Sequence, residues 1–289
     1  MIKDVDSNVV YLADSLKKEK KDVYKRLTAL LNKLDIRWKL IPGTKDIWAR
    51  DYMPLQLKRN DFLLYRYDPD YLNNEEYKGS ITDASIPCEK LGFNCRTTPI
   101  KIDGGNVVIC GDYIVMTNKV FSENGCKDND PRLIAELEAL FGHEIIFIPW
   151  HCLDPDDEHA DVYGHADGFV RWCGGRKVLM SNHRDSDKKE ALQIKARLEE
   201  KGFDVTEMLF HDIPKQDLDY NWAYINYLQV GHKIIVPAVG NPEDKLALKY
   251  IREANSDCEI TPCRMKDIVS DGGALHCITW NILEEQRLA

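Results

Sequence analysis

Four short segments of this chain hold the residue types needed to attack and grip a planar cation. They are WARD (48–51), DGGN (103–106), GHAD (164–167) and DGGALHC (271–277). A guanidinium group is planar, cationic and a poor electrophile. Carboxylates suit its N–H fork, because that recognition is bidentate. Thiolate is the strongest nucleophile a side chain offers. An acid must then protonate the departing amine, a base must activate water, and a third group must orient that base. The four segments offer candidates for every role: the thiol of Cys277, the imidazole of His165, and the carboxylates of Asp51, Asp103 and Asp167.

Each segment also has a plainer reading. His165 and Asp167 lie two residues apart, so on a strand they would face the same side; alone they read as a capping His and a turn Asp. Asp51 next to Arg50 reads as a surface ion pair, and Trp48 reads as core. Asp103 before two glycines is first a turn signal, though the glycines also allow close backbone approach. Cys277 is one of nine cysteines, set apart by its place in the last Gly-led segment. His276 precedes it, so on a strand it would point to the opposite face. That leaves His165 as the better partner. A thiol is mostly protonated at neutral pH; a nearby imidazolium or a bound cation would lower its pKa. His151, Cys152, His159 and His165 also crowd along the chain, but their spacing fits no zinc pattern.

These residues need a scaffold that brings distant segments together, and the chain carries a repeat that could do so. Asp51–Tyr67, Asp103–Asn118, Asp167–Asn182 and Asn221–Val239 each read as a β-hairpin with a short polar turn. A fifth start appears at Asp271–Trp280 without a convincing second strand. The starts recur roughly 50–64 residues apart. Between them the pattern turns to helix and then strand: a helix over 130–141 before EIIFIPW, another over 185–202 before FDVTEML, and a third over 241–255 before CEITP. A helix near 15–34 precedes IRWKLIP. NVVYLAD (8–14) could supply the strand missing from the fifth hairpin and remove exposed edges. The spacing predicts a closed five-bladed α/β propeller in one domain over 1–289, with the hairpin starts facing a central pocket. An open α/β sandwich is the alternative.

Composition narrows the class. The 289 residues are 44% hydrophobic and 30% charged, an ordinary globular balance. A net charge of −9 argues against nucleic-acid binding and suits a cationic partner. No apolar run approaches the ~18–20 residues that span a bilayer. The opening residues MIKDVDSNVV lack the apolar stretch of a secretory signal, so a cytoplasmic location with reduced cysteines is expected. A homo-oligomer is allowed, but nothing in the sequence fixes it.

In their order, the four segments resemble the agmatine deiminase and bacterial peptidyl-arginine deiminase family of the guanidine-modifying (pentein) superfamily. The matching residues are WARD, DGG, GHAD and GGALHC (272–277). The resemblance implies that Cys277 attacks the guanidinium carbon and that His165 protonates ammonia and then activates water. It implies that Asp103 orients His165, that Asp51 and Asp167 hold the guanidinium nitrogens, and that Trp48 lines the substrate site. No metal or organic cofactor is implied. Agmatine is the leading substrate. Arginine, peptidyl-arginine, amidino transfer and methylarginine hydrolysis are alternatives on the same fold. Two departures stand out. Asp103 occupies a position where agmatine deiminases usually carry Glu, and the chain is shorter than most of them.

Overall fold

The computed structural model describes residues 1–73, 77, 79–151, 161, 163–211 and 220–285. Fifteen strands among them form five three-stranded sheets. In chain order the strands are β1 (Val9–Ala13), β2 (Arg37–Ile41), β3 (Leu55–Lys58), β4 (Asp61–Arg66) and β5 (Cys95–Lys101). Then come β6 (Val108–Cys110), β7 (Tyr113–Thr117), β8 (Glu144–Ile148), β9 (Val170–Trp172) and β10 (Lys177–Met180). The last are β11 (Asp204–Glu207), β12 (Leu228–Val230), β13 (Lys233–Ala238), β14 (Glu259–Arg264) and β15 (Thr279–Ile282).

Every sheet repeats one pattern. A central strand pairs antiparallel with its hairpin partner and parallel with the strand that follows the helix. The central strands β4, β7, β10 and β13 are the second arms of the predicted hairpins. The fifth sheet is completed from the other end of the sequence: β1 pairs antiparallel with β15, Val9 opposite Ile282, and parallel with β2. The predicted role of residues 8–14 is therefore met. All five residues of β1 are buried, whereas β2 alternates between exposed and partly buried positions before ending at buried Ile41. That difference is expected of a central strand beside an edge strand.

The helices follow local chemistry. Asp130 caps the helix Pro131–Phe141, its carboxylate accepting from the N–H groups of Arg132 (2.9 Å) and Leu133 (3.3 Å). Proline holds the first helical position, and Gly142 ends the helix at φ 69°. Asp187 caps Lys188–Glu200 through the Glu190 N–H. That helix buries Ala191, Ile194 and Leu198, and each of the two larger side chains contributes about 1.5–3 kcal/mol. The helix expected near 15–34 is two pieces, Leu16–Glu19 and Lys21–Lys33, broken at Lys20. In the second unit, the helix Ser85–Leu91 and β5 fill a stretch that the sequence reading left without elements.

Four apolar clusters link the sheets in turn. Tyr11 and Trp280 pack with Phe62, joining the sheet of β1 to that of β4. Leu63 and Tyr65 meet Ile114 and Met116. Val108 and Ile146 meet Val170 and Val178. Leu179 and Met208 share a cluster with Leu228, Ile234, Val10 and Leu12. Among the described residues, no helix is long and apolar enough to cross a membrane.

Candidate active site

The hairpin starts are turns, not strands. Ala49–Tyr52 is a single helical turn, and Gly104–Asn106, Ala166–Gly168 and Asn221–Ile225 are 3-10 turns. The fifth start, through Cys277, is also turn, with β15 beginning only at Thr279. This corrects the expectation that His165 and Asp167 share a strand face and that His276 and Cys277 alternate on one. Tight turns leave backbone N–H groups unused, and these are spent on neighbouring turns. The Gly105 N–H donates to Asp51 Oδ1 (3.1 Å), and the Ala166 N–H to Asn106 Oδ1 (3.2 Å). Asn226 Nδ2 donates to the Asp167 carbonyl (3.5 Å). The N–H groups of His276 (3.0 Å) and Cys277 (3.3 Å) donate to Asn226 Oδ1. The Arg50 N–H donates to the Cys277 carbonyl (3.0 Å).

Glycine permits this crowding. A Cβ on Gly105 would lie 2.7 Å from Asp51 Oδ1 and 2.8 Å from His165 Nδ1. A Cβ on Gly273 would lie 2.2 Å from the Trp48 ring, and Gly272 needs φ 91°. Close backbone approach, expected of the glycines after Asp103, is thus present at both Gly-Gly pairs.

Around this floor sit the side chains singled out in the sequence. His165 Nε2 lies 2.8 Å from Asp103 Oδ2, and Nδ1 lies 3.5 Å from Asp51 Oδ1. Asp51, Asp103 and Asp167 are all buried, as is Cys277, whose Sγ lies 3.3 Å from Asn226 Oδ1. Asp167 Oδ2 is 2.6 Å from His276 Nδ1. Half-buried Trp48 lies against Gly273, in the turn that leads to Cys277.

The electrostatics follow from burying several carboxylates around one imidazole. Burial raises the pKa of Asp51 to about 7; His165 opposes that shift, while Asp167 and Asp103 add to it. Burial disfavours charge on His165, but Asp51, the hydrogen bond to Asp103 and the charges of Asp103 and Asp167 prevail, raising its pKa to about 10. Burial also opposes charge on Asp167, yet His276, His165 and Arg50 together hold its carboxyl below the ordinary value. The Cys277 thiol is pushed well up, first by burial and then by Asp167 and Asp51. The site therefore combines a neutral Cys277 thiol, a cationic His165 imidazole and several carboxylates.

Sequence reasoning passed over several residues here. Asn226 pins the turn that carries Cys277, and Asn106 does the same for the turn that carries His165. The Tyr71 hydroxyl donates to Asp103 Oδ2 (3.1 Å) and lies 3.4 Å from His165 Nε2. His276, set aside as a base, grips Asp167 instead. The asparagines sit at corresponding places in the DGGN and NWAYIN segments, and the repeat itself could have flagged them. Of the weighed metal cluster, Cys152 and His159 lie outside the described residues. His151 Nδ1 sits 2.6 Å from Glu190 Oε2, not beside His165.

A family model described as Porphyromonas-type peptidyl-arginine deiminase matches residues 2–282. Two Listeria monocytogenes relatives named for agmatine deiminase are each 33% identical over 85 residues, or 29% of this chain; the match spans 22% and 23% of their lengths. An agmatine deiminase of Stutzerimonas stutzeri is 24% identical over 221 residues, covering 64% of this chain and 57% of the relative. The solved C. jejuni agmatine deiminase superposes with a TM-score of 0.78 at 16% identity, covering 99% of this chain and 96% of that one. At that identity the likeness shows a shared α/β fold.

Proposed function

The chain belongs to the Porphyromonas-type peptidyl-arginine deiminase family, and from that premise we propose that it hydrolyses a small guanidino compound. Agmatine is the first candidate, giving N-carbamoylputrescine and ammonia. One observation carries the reading: Cys277, the His165–Asp103 pair and the carboxylates Asp51 and Asp167 come from four distant turns into one buried site. We also infer a closed five-bladed propeller in one domain over 1–289. The turn-to-turn hydrogen bonds and the apolar clusters shared between sheets support it.

The chemistry follows from the charges. The surplus carboxylates Asp51 and Asp167 receive the guanidinium, with Trp48 beside the entry to the Cys277 turn. The cation they hold offsets the two charges that keep the thiol neutral, so the thiol loses its proton to solvent as substrate binds. Thiolate sulfur bonds to the guanidinium carbon. His165 delivers its proton to one terminal nitrogen, the C–N bond breaks, and ammonia leaves. An amidino-thioether remains on Cys277. The now neutral imidazole, oriented by Asp103, takes a proton from water as the oxygen attacks the same carbon. Collapse breaks the C–S bond, the hydroxyl proton passes to the departing sulfur to restore the thiol, and a neutral ureido product is left.

The test is ammonia release from agmatine by the purified protein, beside the Cys277→Ala variant. Cys277-dependent ammonia with one ureido product per ammonia is the expected result. Amidino transfer to an added amine without a ureido product, or turnover that survives in Cys277→Ala, would overturn the reading.

A further inference from the structure

Next to Asp167 lies a second set of charges that the reaction above does not use, with Arg171 and His276 buried and Asp4 and Arg50 half-buried. Residues Asp4–Asp6 form a 3-10 turn ahead of β1. Its backbone is anchored on several sides. The Ile2 N–H donates to the Gln56 carbonyl (3.0 Å), the Gly231 N–H to the Asp4 carbonyl (3.2 Å), and the Asn8 N–H to the Ile282 carbonyl (2.9 Å). This places the Asp4 carboxylate at a cavity of about 60 Å³ lined by Arg50, Arg171, Gln229, His276 and Asn281.

Each oxygen of Asp4 has a definite neighbour. Oδ1 accepts from Asn281 Nδ2 at 2.7 Å. Oδ2 accepts from Arg171 Nη2 and lies 3.7 Å from His276 Nε2. The other ring nitrogen of His276 is the one that meets Asp167 Oδ2 at 2.6 Å. Asn281 in turn accepts from Arg50 Nη2 through its Oδ1. The guanidinium of Arg171 is also stacked over Tyr227, 4.7 Å from the ring centre. Asp4 thus pairs with Arg171 and meets the His276 ring on the nitrogen opposite the one that Asp167 holds.

We propose that Asp4 is a positioning residue for Asp167, acting through the His276 ring that the two carboxylates hold between them. The geometry gives it two effects. It fixes the imidazole so that Nδ1 stays aimed at Asp167. It also offsets Arg50 and Arg171, so the negative charge of Asp167 remains available to an incoming cation. This rests on the guanidine reading above.

The loss of a residue that orients a binding group, rather than touching substrate, should weaken ground-state and transition-state binding together. Asp4→Asn should therefore raise KM for agmatine about 10–100-fold, the range known for partners that orient metal-binding side chains. It should leave kcat within about threefold. Asp4→Glu, which keeps the charge, should restore most of the loss. Unchanged KM, or a fall in kcat at constant KM, would overturn the proposal. If Asp4→Asn fails to fold, Asn281→Ser releases Asp4 Oδ1 with every charge kept; KM must still rise at least about threefold for the idea to survive.

A proton spectrum in water separates this proposal from the function reading. The short His276–Asp167 hydrogen bond should give a resonance far downfield of the amides, identified by its absence in His276→Asn. Asp4→Asn must shift or broaden that resonance. If it does so while the wild type hydrolyses no guanidine, the function reading falls and the positioning stands. A resonance that Asp4→Asn leaves in place removes the positioning, whatever the turnover.

Discussion

Arg50 and Asp51 are adjacent in the chain yet serve different layers of the molecule. Asp51 joins Asp103, Asp167, His165 and Cys277 in a carboxylate layer. Arg50 joins Arg171, His276, Asn281 and Asp4 in an arginine layer beneath it. The pairs His276 and Cys277, and Asp167 and Arg171, are divided in the same way. The arginine layer sets one carboxylate, Asp4, against two guanidinium groups, Arg171 directly and Arg50 through Asn281, so its surplus is positive. The carboxylate layer has the opposite surplus: Asp51 and Asp103 share the His165 ring while Asp167 is held by His276, and burial, with the neighbouring acids adding to it, pushes Asp51 up to about 7. Buried charge is normally paired within the protein. Here Asp51 and Asp103 have one imidazole between them, in the layer where a cationic substrate would supply the second positive charge.

That contrast can be broken experimentally, and the largest expected effect belongs to the nucleophile. Cys277→Ala should reduce turnover by at least about 10⁴-fold, with a melting temperature close to the wild type because a small buried side chain is exchanged for another. Residual turnover well above that level would remove Cys277 from the chemistry. Asp51→Asn comes next, at about 2–5 kcal/mol in kcat/KM for a lost buried charge partner. The same substitution should not lower the melting temperature at pH 8. A carboxyl whose folded pKa is raised costs stability above that pKa, so its ionised form burdens the folded protein there. A clear drop in melting temperature would mean that Asp51 is structurally paired and that the layers do not differ as described.

Gly105→Ala probes geometry rather than charge. The added methyl would press on Asp51 and His165 together, and displacement near 1 Å costs about 100-fold in activity. Wild-type kinetics in that variant would show the floor to be looser than its contacts imply. The mildest test is pH. Asp51 must lose its proton to hold a cation, so kcat/KM should rise with pH through about 7. His165 must keep its proton to deliver it to ammonia, so the same quantity should fall through about 10. A profile flat from pH 6 to 8 would argue against Asp51 as a gripping charge.

Much of the carboxylate layer was legible in the sequence because each member sits at the start of a repeated unit. The repeat also exposed the helix–strand order and the role of residues 8–14 as partner of the last strand. The arginine layer left no such trace. Asp4, Arg171 and His276 meet only through the fold, and long-range charge pairs have no local period to read. The backbone at the four segments was misread for a different reason. Asp-Gly-Gly and His-Ala-Asp-Gly precede apolar runs, and the strand signal of those runs was extended backwards over what are tight turns. The second unit hid its helix Ser85–Leu91 because it is short and carries a proline within it; Gly92, at φ 76°, was its one clear stop signal.

The pairing of β1 with β15 also sets when the site can come into being. Synthesis delivers β1 among the first strands and β15 with the last of them. The partner on one edge, β2, follows soon after, but the other edge of β1 waits for residues 279–282. Joining such distant residues carries a loop-closure cost and slows folding. Cys277 emerges just ahead of that final strand. The Cys277 thiol and the strand that completes the first sheet thus arrive together, so a nascent chain cannot assemble the candidate site until those residues are made.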